Sequence, residues 1–213
     1  MTRISLKNAL TLAVLSLGML AFNACIFNAE EGSGGDPPPR VPYESLKEKD
    51  HVLSNLKKAY NERNLNQYDK LLDVNFGFTF FFSPEDVTSG NVQSANWDRA
   101  SELLATGHMF DPTFDPAPHT NPDGSITDPG PISRISLTME FPPGDVAWNQ
   151  QIDDNVHPGE VWYEKTVDYK LVVRAGGDFT FQNATTLQAS FVIHFTELEG
   201  DSIYRLVSWR DDL

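Results

Sequence analysis

Seven residues are candidates for acid–base chemistry, and they are spread from residue 60 to residue 194. A carboxylate or an imidazole can act as a general base, and a phenol can donate a hydrogen bond to a developing oxyanion. No HExxH, GxSxG or phosphate-cradling glycine motif surrounds them. The sequence therefore assigns no catalytic residue and no cofactor. The seven residues are Asp73, Asp98, His108, His194, Tyr60, Tyr68 and Tyr169.

Several of these residues also have a purely structural interpretation. Tyr60 and Tyr68 fit buried positions of predicted helices. Asp98 lies in the first turn of another predicted helix, where the helix dipole stabilises a carboxylate. His194 shares a strand face with Val192 and is either solvated or an interior polar group.

Metal binding and nucleic-acid binding find little support. Oxygen-bearing side chains at Asn121, Asp123, Ser125 and Asp128 suggest calcium, but they lack the spacing and the closing Glu of an EF-hand loop. A solvated loop over residues 111–131 is the favoured interpretation, and no metal ligand is assigned. The formal net charge of −14 repels phosphate backbones, which argues against a nucleic-acid partner.

The chain begins with the pattern of an export signal. Arg3 and Lys7 precede an apolar run over residues 9–22, which is shorter than the roughly 20 residues of a membrane-spanning helix. The residues FNAC that end at Cys25, the one cysteine, resemble a lipobox, with Phe22 and Asn23 as departures. We expect residues 1–24 to be a lipoprotein signal peptide and Cys25 to carry palmitate-type acyl chains. Ordinary secretion after Ala24 is the alternative.

A tether separates this anchor from the folded domain. Residues 25–42 are rich in Gly and Pro and show no apolar periodicity, which is typical of a linker. The domain is predicted to span residues 43–213. Because residue 26 is Ile and not Asp, enteric-type sorting predicts the outer membrane of a bacterial envelope, facing the periplasm or the exterior.

The sequence of the domain predicts helices followed by strands, which is the order of an α+β fold. A first helix opening at Glu44 or Ser45 precedes a short helix capped by Asn66, and alternation over residues 74–82 predicts an aromatic strand. A third helix capped by Asn96 precedes strands that are expected to form an antiparallel meander. The predicted buried faces are Leu46, Leu53, Leu56 and Tyr60 in the first helix, and Ala100, Leu103, Leu104 and Gly107 in the third.

Four stretches carry a family resemblance: AYNERNLNQYDKLLDVNFGFTF at 59–80, NWDRASELLATGHMF at 96–110, ISLTMEF at 135–141 and YRLVSWRDDL at 204–213. They resemble the nuclear transport factor 2-like superfamily, in particular its bacterial lipoprotein members. The resemblance implies a cone in which a curved antiparallel sheet wraps a long N-terminal helix, and it implies homodimers through the sheet. A pocket at the open end would be lined by Tyr60, Phe76, Phe78, Trp97, His108 and Tyr169.

Three functional classes stay open on this sequence. The first is a non-catalytic envelope lipoprotein that binds a small apolar ligand or an envelope protein. The second is an enzyme of the isomerase or cyclase kind, which members of the superfamily exemplify. The third is a structural or assembly subunit. A buried Tyr–acid or His–acid cluster would favour the enzyme, an apolar aromatic pocket the binder, and an exposed apolar sheet the assembly subunit.

Overall fold

The computed structural model describes residues 41–88, 92, 94–120, 124–140, 148–153, 160–176, 180–182, 187–198 and 200–211. The predicted signal peptide, Cys25 and the tether up to residue 40 lie outside these residues. So do Asn121 and Asp123 of the calcium hypothesis.

Among the described residues, four helices precede the long strands. The longest two are amphipathic in the sense that each buries one side against the rest of the domain. Their bounds are α1 Lys49–Asn61, α2 Leu65–Leu71, α3 Pro84–Thr88 and α4 Arg99–Phe110.

In the part of the chain that the structure describes, eight strands form one curved sheet with the order β2-β1-β10-β9-β7-β5, in which β6 and β8 also pair with β7. All pairs in it are antiparallel except β1 with β10, which is parallel. The predicted meander of the last long strands is confirmed by the order β7-β9-β10. The strands of this sheet are β1 Thr79–Phe81, β2 Asn96–Asp98, β5 Ile132–Glu140, β6 Asn149–Asp153, β7 Glu160–Ala175, β8 Thr180–Gln182, β9 Leu187–Leu198 and β10 Asp201–Asp211.

The core lies between α1 and the inner face of the sheet. Leu53 and Leu56 of α1 are fully buried, as are Val167, Phe191 and Ile193 of the sheet. This arrangement confirms the predicted fold class, an α+β domain whose curved sheet packs on the N-terminal helix. Residues 111–120 and 124–131 are mostly irregular, as predicted, but the prediction is wrong for a small separate pair of strands, β3 His119–Thr120 and β4 Ile126–Thr127.

The predicted start of the first helix at residue 44 or 45 is wrong, because backbone groups there form hydrogen bonds with residues of α1 and β10 instead of within a helical turn. The Asn55 side chain accepts a hydrogen bond from the Glu44 amide at 2.9 Å and donates one to the Glu44 carbonyl at 2.7 Å. The amide of Tyr204 donates to the carbonyl of Leu46 at 2.8 Å. Residues 43–46 therefore lie against α1 and β10, and Asn55 is buried.

The aromatic strand predicted over residues 74–82 is also much shorter than expected. The Asp73 carboxylate accepts hydrogen bonds from the amides of Asn75 and Phe76 at 2.7 and 2.8 Å, which makes a tight turn. Gly77 then takes a φ of +82°, a left-handed conformation that breaks the two-residue alternation. As a result, the predicted common face of Phe76 and Phe78 does not exist.

Two predicted caps and one predicted face need correction. Asn64, not Asn66, caps α2, and Asp98, not Asn96, caps α4 by accepting from the Ser101 amide at 2.8 Å. The buried positions of α4 are Glu102, Thr106 and Phe110, whereas Leu104 is 54% exposed. The apolar pattern of α4 was misleading because a polar residue of this helix finds hydrogen-bond partners inside the domain.

Candidate functional site

A buried carboxyl group, that of Glu102 on α4, lies at the centre of a polar cluster inside the domain. The hydroxyl of Tyr68, on α2, donates a hydrogen bond to Glu102 Oε1 at 2.7 Å. Thr106 lies one helical turn beyond Glu102, and its hydroxyl donates to the same oxygen at 2.8 Å. Glu102 is only 4% exposed, so these two donors replace the water that would otherwise solvate it.

Burial dominates the electrostatics of this cluster. It raises the pKa of Glu102 by more than the hydrogen bonds from Tyr68 and Thr106 lower it. Burial also raises the pKa of Tyr68 and of Tyr60, and the nearby Glu102 carboxylate adds to both effects. A carboxyl group that holds its proton to higher pH, beside neutral phenols, has the chemistry of a general acid or of a hydrogen-bond donor to an oxyanion.

Trp209 of β10 is the hub of an aromatic cluster next to this acid. Its ring centroid lies 5.9 Å from that of Tyr60, 5.9 Å from Tyr169, 5.1 Å from Phe191 and 5.4 Å from Phe80. Trp209 is 3% exposed, and its indole N–H is buried without a hydrogen-bond partner in the part of the chain that the structure describes. An unpaired buried donor of this kind can serve a ligand that brings an acceptor.

The aromatic rim, formed by Phe80, Phe82 and Trp97, extends this cluster towards solvent. Pairing of β1 with β2 places Phe80 opposite Trp97. Ring centroids are 5.0 Å apart for Phe80 and Phe82 and 4.7 Å apart for Phe82 and Trp97. All three residues are half-buried. A continuous series of aromatic rings therefore runs from the surface at Trp97, through Phe80, to the buried Trp209.

The structure brings together only some of the residues predicted to line a pocket. Tyr60 and Tyr169 both contact Trp209, and the Tyr169 hydroxyl donates to the Asp211 carboxylate. Trp97 belongs to the aromatic rim.

The remaining predicted lining residues lie elsewhere. Phe78 is a core residue, 1% exposed. His108 stacks on Phe114 with centroids 4.1 Å apart, and Phe76 lies against His194 on the opposite face of the sheet.

Sequence reasoning missed Glu102, Thr106 and Trp209 as site residues. Glu102 and Thr106 are four residues apart in a helix, which is a signal of a shared face, but the same spacing occurs on solvated faces. Asp73 and Asp98, two of the candidates, accept backbone hydrogen bonds at a turn and at a helix N-terminus, which supports structural roles.

Neither metal ligation nor a membrane-spanning helix is found among the described residues. They contain no group of three or more His, Cys, Asp or Glu side chains that could hold a metal ion. No helix in the described ranges is long and apolar enough to cross a bilayer.

Comparisons with known proteins give matches among solved structures alone. No family model matches the chain, and no curated protein sequence does. An NTF2-like protein of unknown function in nutrient uptake from Rhodospirillum rubrum is 13% identical, over 78% of this chain and 98% of that one, with a TM-score of 0.43. An NTF2-like superfamily protein from Salmonella enterica is 13% identical, over 76% and 84% of the two chains, with a TM-score of 0.42.

The helix and strand order described above decides the fold. The chain forms an α+β domain whose curved, mainly antiparallel sheet packs on the N-terminal helix, as the sequence predicts. A protein with a cystatin-like fold from Caulobacter vibrioides is also similar, at 11% identity over 76% of this chain and 84% of that one, with a TM-score of 0.39. These likenesses concern the fold, and unrelated functions share one fold, so function has to be argued from the residues of the site.

Proposed function

We propose that this protein is a lipid-anchored binding module of the bacterial cell envelope that takes a small apolar ligand at the aromatic rim. The observation that carries the proposal is the series of rings from Trp97 through Phe80 to Trp209. Small-molecule sites are mostly apolar and aromatic, with a few well-placed polar groups. The buried indole N–H of Trp209 supplies one such group.

Binding of a neutral fluorescent probe, N-phenyl-1-naphthylamine, tests the ligand part of this proposal. We expect saturable binding to the purified domain, with probe affinity at least tenfold weaker in Phe82→Ala and in Trp97→Ala. The matched control is Phe195→Ala, because Phe195 is 43% exposed and its ring packs on Tyr204, away from the rim. Equal probe affinity in all variants, or no binding to the wild type, would contradict a binding role for the rim.

The anchoring part of the proposal depends on Cys25, and a Cys25→Ser variant tests it. We expect the variant to accumulate as a precursor of higher mass and to leave the membrane fraction, because Ser cannot accept the thioether-linked lipid. Two acyl chains hold a protein stably on a bilayer, so their loss should be visible in simple fractionation. Unchanged membrane partition of Cys25→Ser would exclude this anchor.

A second function, proton-transfer catalysis, is supported by the buried Glu102 and its phenol partner Tyr68. The experiment that separates it from simple binding follows the side-chain carboxyl carbon of Glu102 by NMR while the probe is added. A ligand that contacts the acid should move this signal and change its titration. If the signal stays unchanged at probe saturation, the ligand does not reach Glu102 and the binding function alone is supported.

A further inference from the structure

The neighbouring strands β7, β9 and β10 place Trp162, His194 and Arg205 in a row on the outer face of the sheet, away from α1. In the strand register, His194 of β9 lies opposite Trp162 of β7 on one side and opposite Arg205 of β10 on the other. Residues paired in this way project from the same face of a sheet. Phe191 and Ile193, which alternate with His194, face the core instead.

The segment of residues 73–77 covers this row. The Asn75 side chain donates a hydrogen bond to Thr196 Oγ1 at 2.7 Å, which fixes the segment on β9. The ring of Phe76 then lies 4.4 Å from the His194 ring and 5.4 Å from the Trp162 ring, measured between centroids. Trp162 and His194 are themselves 4.9 Å apart. We call Phe76, Glu160, Trp162, His194 and Arg205 the His194 box.

A contact with Glu160 fixes the orientation of the His194 imidazole ring. His194 is 3% exposed, and its Nε2 lies 2.8 Å from Glu160 Oε2. Because an ionised carboxylate only accepts hydrogen bonds, Nε2 must carry the proton. In the neutral imidazole Nδ1 is then a hydrogen-bond acceptor. This Nδ1 atom is buried, and it has no hydrogen-bond partner in the described part of the chain.

A donor without a partner belongs to Arg205, the residue opposite His194 in β10. Arg205 is 8% exposed, and its Nη1 makes a long hydrogen bond of 3.5 Å to the Leu72 carbonyl. The Nε–H of Arg205 is buried and has no partner among the described residues. Asp73, at the start of the covering segment, also leaves its Oδ2 without a partner there. Buried polar atoms are normally satisfied, so this concentration of unused donors and acceptors indicates a place for polar groups of a ligand.

The chemistry of these atoms selects the ligand class. An anion could accept from Arg205, but it would also face the carboxylate of Glu160 and could give nothing to Nδ1 of a neutral His194. A hydroxyl group both accepts and donates, so it can serve Arg205 and His194 together. The half-buried rings of Phe76 and Trp162 suit the apolar C–H face of the molecule that carries it. We propose that the His194 box binds a neutral sugar through its hydroxyl groups and one apolar ring face.

Ligand titrations followed by NMR test this proposal on the intact folded domain. The readouts are the ring signals of His194 and the indole N–H signal of Trp162. The probes are methyl β-D-glucopyranoside, methyl β-D-galactopyranoside and methyl N-acetyl-β-D-glucosaminide, together with chitotetraose as an oligosaccharide. We expect saturable shifts of both residues with at least one of them. Tighter binding of chitotetraose than of its monosaccharide would identify a glycan chain as the source, and equal affinity a free sugar.

Two tryptophan variants provide the matched comparison. Trp162→Leu should weaken sugar binding at least tenfold, whereas Trp148→Leu should not, because Trp148 is half-buried elsewhere and donates to Asp50. Should Trp162→Leu fail to fold, Glu160→Gln replaces it, since Glu160 is 44% exposed and its change should alter the His194 shift on sugar addition. Absence of saturable shifts with all four probes, shifts equal to those caused by glycerol, or equal weakening in both tryptophan variants would overturn the proposal.

Discussion

Replacing Glu102 by Gln should change how the stability of the domain depends on pH. The substitution removes an ionisable group but keeps an oxygen that can accept from Tyr68 and Thr106. Burial raises the pKa of Glu102 above its usual value of 4.5 in the folded state. A carboxyl group whose pKa is raised by folding favours the folded state fully below its unfolded pKa. That contribution is lost as the pH rises through the folded pKa.

The size of this effect follows from proton linkage. Between the unfolded and folded pKa values, the wild type should lose about 1.4 kcal/mol of unfolding free energy per pH unit relative to Glu102→Gln. Above the folded pKa the difference should become constant. Urea denaturation of both proteins at half-unit steps from pH 4 to pH 8 measures the difference directly, and other titrating groups largely cancel in it.

Glu85→Gln is the matched control, because Glu85 is an exposed glutamate of the short helix α3. Its stability difference from the wild type should change little over the same pH range. A flat difference for Glu102→Gln would refute the reasoning that burial dominates at Glu102. A difference of opposite slope would show that hydrogen bonding outweighs burial and that the carboxylate is favoured by folding.

Three further substitutions test the packing and the ion pairs. Phe78 is 1% exposed, so Phe78→Ala should cost about 3–5 kcal/mol of unfolding free energy. Phe78→Leu should cost under about 1.5 kcal/mol. A loss below about 1.5 kcal/mol in Phe78→Ala would contradict the placement of Phe78 in the core. Asn55→Ala should cost about 1–3 kcal/mol, since it removes two hydrogen bonds to the backbone of residue 44, and an unchanged urea midpoint would show that residues 43–46 contribute little. Partial burial raises the pKa of Asp50, but hydrogen bonding and charge from Lys165 outweigh it, so the pKa lies below 3.8. The ionised Asp50 therefore stabilises the folded state above pH 3.8, and this stabilisation is lost as the pH falls below that value. Asp50→Asn should reduce the fall in unfolding free energy between pH 4 and pH 2. An unchanged fall would argue against the Asp50–Lys165 ion pair.

Local periodicity predicted the long strands well. In β7 the alternating positions Val167 and Tyr169 are buried, as the pattern requires. Lys165 interrupts that pattern, yet it follows the same face and is 3% exposed. Its ammonium reaches Asp50 of α1 at 2.9 Å, so the apparent interruption marks an ion pair between helix and sheet. A sequence shows the alternation, but it cannot show which distant carboxylate lies near the lysine.

Non-local contacts explain what the sequence did not predict. The parallel pairing of β1 with β10 joins residues 79–81 to 208–210, and no periodicity encodes a partner so far along the chain. The burial of Glu102 was not predicted, because its partner Tyr68 belongs to a different helix. The burial of Asn55 was not predicted either, since its partners are backbone groups of Glu44, which precedes the helix.

The segment that carries the most aromatic residues connects the two proposed binding regions. Up to Phe76 it follows the outer face of the sheet, where it contacts His194. Gly77, with its φ of +82°, redirects the chain, so Phe78 enters the core and Phe80 contacts Trp209 on the inner side. Aromatic and other residues alternate regularly in the sequence of this segment, because hydrophobic periodicity does not show whether a glycine adopts a left-handed conformation. One glycine conformation thus divides a single aromatic stretch between the proposed sugar site outside the sheet and the proposed apolar site inside it.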